Sequence, residues 1–208
     1  ANGALNRTEA ADRIVERIEA AVRGHRDPLL QAEVWCGPHR EDLGDAEATA
    51  RIDRGLVLLD GAPGSRAVRS KCLFHRSAHL KALARFDEAL RDLDAAFEAD
   101  TTLLRRTASL SYLRSRANLL NELGQVHAAE RAHSQVIEQM QAAGRGSSVQ
   151  AVRDLHLHAI LLWRMGRPRE ALQHCESSAE LAERTGNAAF VPIAHVFCAR
   201  FSQDLDEP

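Results

Sequence analysis

The chain has no apolar run approaching the roughly 18–20 residues needed to span a bilayer, so no membrane partner is expected. Its formal net charge is only −2 over 208 residues, which gives no overall attraction to nucleic acid or to an anionic surface. Lysine is almost missing. Lys71 and Lys81 stand alone and arginine carries the remaining positive charge, a usage associated with GC-rich bacterial genomes. No nucleophile elbow, glycine-rich phosphate loop or HExxH pattern occurs. The segment Gly61-Ala62-Pro63-Gly64-Ser65-Arg66 lacks the lysine and spacing of a phosphate loop. These absences point away from an enzyme and from any cofactor.

Four cysteines, Cys36, Cys72, Cys175 and Cys198, lie far apart with no paired spacing. In a chain with enough apolar residues for a core, they read as buried thiols in a reducing, cytoplasmic compartment. Cys72, His75 and His79 share a helix face, and Cys36 with His39 makes a short Cys-x-x-His. Zinc needs four convergent ligands, or three around an open site. Nothing in the sequence brings the two groups together, so no metal is expected. The chain carries no signal peptide and starts at Ala1, which leaves a trimmed leader or a larger parent open.

What is present reads as helix throughout, with no strand pattern. Asn6 or Thr8 caps a first helix running to about Arg23, with Ile14, Ile18, Ala21 and Val22 on one face. Leu29, Leu30, Val34 and Trp35 form a short helix broken at Gly37-Pro38. Asp45 opens a better one, carrying Ala48, Ile52, Leu56 and Leu59 and closed by the Gly61–Gly64 turn. Helices then pair regularly: 65–83 with 86–99, 104–123 with 126–143, and 149–165 with 168–185. A last helix over 188–203 carries Phe190, Ile193, Phe197 and Phe201.

Each pair shares a phrase at its turn: Arg85-Phe86-Asp87-Glu88-Ala89-Leu90, Gly124-Gln125-Val126-His127-Ala128-Ala129, and Gly166-Arg167-Pro168-Arg169-Glu170-Ala171-Leu172. The alanines 89, 129 and 171 are 40 and 42 residues apart. A fixed period in this range marks a solenoid whose units bury their apolar faces by stacking. At these residues the chain resembles the tetratricopeptide (TPR) family. Ser77, Ala117 and Ala159 match the family's small residue in the first helix; Ala84, Gly124 and Gly166 match its turn; Ala89, Ala129 and Ala171 match the alanine opening the second helix. The period exceeds the family's roughly 34 residues, and His133 and Cys175 stand where a large apolar residue belongs.

The resemblance implies an all-α fold: a right-handed α-solenoid of antiparallel helix pairs, a TPR-like superhelix. Residues 1–64 form N-terminal helices that read as one degenerate repeat, 65–187 three helix pairs, and 188–208 a capping helix and tail. It also implies a concave groove for a peptide or protein partner, lined by first-helix positions. Those positions are Lys71, Phe74, Ala78 and Lys81, then Ser111, Arg114, Asn118 and Asn121, then Arg153, His156, Ile160, Trp163 and Arg164. Five of the thirteen are permanent cations and none is acidic, which suits an acidic peptide.

Arg114 and Asn118, one turn apart, match the clamp with which some family members hold an acidic C-terminus; pairing of Arg114 with an acid such as Glu122 is the plainer alternative. Trp163 reads equally as groove anchor or core residue. The expected function is a non-enzymatic protein-interaction scaffold, with a ligand-sensing domain of a larger bacterial signalling or transcriptional regulator as the alternative. Phe190, Phe197 and Phe201 are the candidates for self-association through the last helix.

Overall fold

The structure is a computed structural model and describes residues 13–22, 24–37, 43–99 and 109–206. The expected caps at Asn6 and Thr8, the helix end at Arg23, the Pro38 break, His39 and the start of the helix at 104–108 lie outside these residues. Among the described residues there are ten helices and no strand. The chain divides into two compact units, Ala1–Thr107 and Ala108–Pro208. The division falls inside the repeat block at 65–187 rather than at its edges.

The first unit holds α1 (13–22), α2 (Pro28–Trp35), α3 (Asp45–Leu58), α4 (Arg66–Ala82) and α5 (Phe86–Ala99). Helix α2 starts where Asp27 accepts from the Leu29 N–H at 2.9 Å and Pro28 occupies the first turn, a position where proline's missing donor does no harm. Its core gathers Ala32, Cys36, Ile52, Leu56, Leu59 and Cys72. Arg51 is the hub: 6% exposed, it bonds the Val34 carbonyl on α2 at 2.8 Å, pairs with Glu19 on α1 at 2.6 Å and lies over the Trp35 ring.

Gly55 on α3 permits the close approach of α2, because a Cβ there would meet Cys36 Sγ at 2.8 Å and Trp35 Cβ at 3.1 Å. Gly55→Ala removes a helix-interior glycine, a change favourable by roughly 1 kcal/mol where space allows. Overpacking at this site outweighs that gain and should destabilise by about 1–3 kcal/mol. Thermal melting is the check, and a raised melting temperature would contradict the packing.

The second unit holds α6 (Ser109–Glu122), α7 (Val126–Ala142), α8 (Val149–Arg164), α9 (Pro168–Arg184) and α10 (Val191–Asp206). Ser148 caps α8 by accepting from the Ala151 N–H at 3.2 Å, and Pro168 opens α9. Helix α7 packs on α6 and α8, and α9 on α8 and α10.

The three turns of the repeated phrase are built alike. Arg85, Gln125 and Arg167 donate their N–H to the carbonyls of Leu80, Leu120 and Leu162 at 2.9, 2.9 and 3.0 Å. The residue before each has positive φ: Ala84 at 58°, Gly124 at 72° and Gly166 at 72°. Glycine adopts that conformation freely, whereas alanine holds it against Cβ strain. Ala89, Ala129 and Ala171 are all completely buried, as are Ala117 and Ala159, with Ser77 nearly so.

The register extends to a cross-helix bond. Ser70 Oγ donates to the Ala96 carbonyl at 2.6 Å, while Ser178 Oγ donates to the Val152 carbonyl at 2.9 Å. Positions 70 and 152, like 96 and 178, are 82 residues apart, the distance from Ala89 to Ala171. The same two positions are therefore bridged in both units, with donor and acceptor exchanged.

The cysteines are not free thiols. Cys36 is bonded to Cys72, joining the end of α2 to α4, and Cys175 to Cys198, joining α9 to α10. Burial was expected correctly for Cys36, Cys72 and Cys175, but the thiol state was not. Separations of 36 and 23 residues leave no local spacing from which to read the pairing. Because Cys36 and Cys72 hold each other, neither is available as a ligand beside His75 and His79.

Candidate functional site

The structure distributes the ten expected partner residues among three environments. Lys71, Arg153 and Arg164 are exposed; Phe74, Lys81, Arg114, Asn118, Asn121 and Trp163 are half-buried; His156 is buried. Lys71, Phe74 and Lys81 share α4 in the first unit, where Phe74 meets the His75 ring edge-on. The others belong to α6 and α8 of the second unit.

Several of the second set are already engaged within the chain. Arg114 forks onto Asp154, with Nε at 2.8 Å from Oδ1 and Nη2 at 2.6 Å from Oδ2, and the Asp154 carboxylate has no exposure. This is the strongest geometry available to an arginine and a carboxylate. It occupies the donors assigned to a peptide C-terminus, and the partner is Asp154, not Glu122. Arg164 bonds the Asn121 side chain, and the Trp163 indole N–H donates to Asp204 on α10. Arg200 lies over the Trp163 ring at 4.8 Å and Phe201 stacks beside it.

His156 is withdrawn from any surface: Phe190 and Phe197 meet its ring edge-on at 5.0 and 4.8 Å. The aromatic residues nominated for self-association therefore face inward, and Phe201 has no exposure at all. The apolar residues that α10 turns outward are Ile193 and Val196, 46% and 70% exposed.

The bonds between these helices follow one arithmetic. Arg114 and Asp154 are separated by 40 residues, Asn121 and Arg164 by 43, and Trp163 and Asp204 by 41. Each separation is close to the repeat period. Together they join α6 to α8 and α8 to α10. Asp154 was not singled out in the sequence, yet an acid about one period after a cation is the signal that would have found it.

No protein-family model matches the chain, and no curated protein matches it.

In the first unit, a polar cleft between α3, α4 and α5 is closed by its own charges. Arg76 binds Asp92 through Nε and Nη2 at 2.6 and 2.8 Å and Asp53 through Nη1 at 2.5 Å. The bond to Asp92, above all, raises the Arg76 pKa and holds the guanidinium charged. A second concavity of about 320 Å³ is lined mainly by Val15 and Ile18 of α1 and Leu30 and Val34 of α2, with Lys71 beside them. Gly37 and Lys71, which border it, are the sequence neighbours of the bridged Cys36 and Cys72.

Among the described residues, no helix is long and apolar enough to cross a membrane.

Proposed function

We propose that the chain is a non-enzymatic protein-interaction scaffold of the TPR-like solenoid kind, taking an acidic peptide along α6 and α8 of its second unit. The observation that supports this reading is the ladder of side-chain bonds 40–43 residues apart, which joins α6 to α8 and α8 to α10 in the second unit. A row of such helices presents one continuous face to a partner.

The cationic bias of that face is narrower than the sequence implied, because Asp154 takes Arg114. Arg153 and Arg164 of the second unit enter no carboxylate pair among the described residues, and they are the residues to which an acidic ligand is assigned. Panning of the chain against a displayed random peptide library should enrich sequences rich in aspartate and glutamate. Recovery of no sequence, or of sequences without an acidic bias, counts against the reading.

The ligand-sensing alternative has its own support in the apolar concavity of the first unit, whose size and lining suit a small molecule. Under that reading an amphipathic ligand with its head at Lys71 stiffens α1 against α2 and reports to an attached signalling domain. The compartment follows the cysteines. The cytoplasmic expectation rested on free thiols; disulfides persist in oxidising surroundings, and there we place the bridged form of the chain.

A further inference from the structure

The second unit buries three histidines. His133 on α7 and His156 and His158 on α8 are 1%, 7% and 4% exposed, and the Nδ1 atom of each lacks a hydrogen-bond partner. A neutral imidazole tolerates such a place because it carries no charge to desolvate. A protonated one needs a counter-charge, and Asp154 and Glu170 are already committed to Arg114 and Arg167.

His133 faces Asp154 and Arg114, which are bonded to each other. His158 meets the His174 ring of α9 at 4.6 Å and has His133, Arg167 and Glu170 around it. Glu130 on α7 lies 3.9 Å from His158 Nε2 and 3.7 Å from Arg167, beyond hydrogen-bond length from either. Arg167 itself forks onto Glu170 at 2.7 and 2.5 Å. His156 sits between the edges of Phe190 and Phe197. The first unit is built otherwise: His79 Nδ1 lies 2.8 Å from the Asp45 carboxylate, and His75, its pKa lowered by burial and then by Lys71 and His79, is only half-buried.

We propose that the second unit is an acid-gated module: proton uptake by His133, His156 and His158 opens the packing of α7, α8 and α9 under α10 and uncovers Phe190 and Phe197, while the first unit stays closed. This gate does not depend on the peptide-binding reading.

The direction follows from linkage. Burial pushes His133 and His158 each down to about 4, and lowers His156 as well. Once opened, the same imidazoles return to about 6.5. Below about 6.5 the open form therefore binds more protons, and closed-state stability falls as pH drops from there towards about 4. With those values His133 and His158 each make opening about twentyfold easier between pH 7 and 5, together about several hundredfold, and His156 adds in the same direction.

Native-state amide hydrogen exchange of the whole chain between pH 7 and 5, corrected for intrinsic rates, reads this directly. Protection in α7, α8 and α9 should fall by about several hundredfold between pH 7 and 5, against at most about twentyfold in α4 and α5, where His75 is the lowered histidine. His133→Leu, which installs a leucine where Leu93 stands one period earlier, should reduce the total change between pH 7 and 5 by about twentyfold. Should that variant not fold at pH 7, His158→Gln is measured for the same change. Equal loss of protection in both units, or an unchanged slope in the folded variant, would overturn the proposal.

Discussion

Replacing Arg114 with alanine is expected to destabilise the second unit by about 3–5 kcal/mol, the effect of stranding one member of a buried ion pair. The Asp154 carboxylate has no solvent exposure, and its two oxygens are held by the Arg114 fork, with Gln150 contributing only a long contact at 3.4 Å. Without the guanidinium, the carboxylate must be desolvated unpaired or drag water into the interface between α6 and α8. The double variant Arg114→Met/Asp154→Leu should recover most of the loss, because apolar residues of similar volume often replace such pairs without penalty. Urea unfolding of the three proteins separates the terms. A near-neutral Arg114→Ala would mean that the pair is not buried as described, and would return Arg114 to the partner-facing role that the sequence suggested.

Reduction of the disulfides carries the second large effect. The Cys36–Cys72 and Cys175–Cys198 bonds close segments of 36 and 23 residues, for which chain-entropy arguments give about 3–4 kcal/mol each. Losses of that size are a large part of a domain's total stability of about 5–15 kcal/mol. Melting with and without dithiothreitol should therefore show a fall of many degrees. Cys72→Ala should confine the loss to the first unit and Cys198→Ala to the second. Alkylation of the native chain before lysis should label none of the four cysteines. Labelling of all four, with melting indifferent to reductant, would restore the free thiols and the cytoplasmic placement.

What the sequence disclosed was local. The helix pairs end within a residue or two of the expected positions where they are described, because positive-φ turn residues and short apolar periods act over neighbouring residues. Ala89, Ala129 and Ala171 are buried as the repeated phrase required. The expectations that failed concern contacts across more than about half a repeat. Asp154, Asp204 and the cysteine partners lie 23–41 residues from the groups they bind, so no window of a dozen residues contains both members. The last helix illustrates the limit: its phenylalanines were recognised as an apolar stripe, but only the packing of α10 on α8 and α9 shows that Phe201 is core and that Val196 faces out.

If Arg153 and Arg164 on α8 take an acidic peptide, binding affinity is where their loss is read. A fluorescein-labelled peptide recovered from the display selection would be titrated with the wild-type chain and with Arg153→Glu/Arg164→Glu, each checked for helicity by circular dichroism. The account predicts at least about tenfold weaker binding by the variant, equivalent to about 1.4 kcal/mol, and a wild-type affinity that falls as salt is raised. Equal affinity of the two folded proteins, independent of salt, would contradict it.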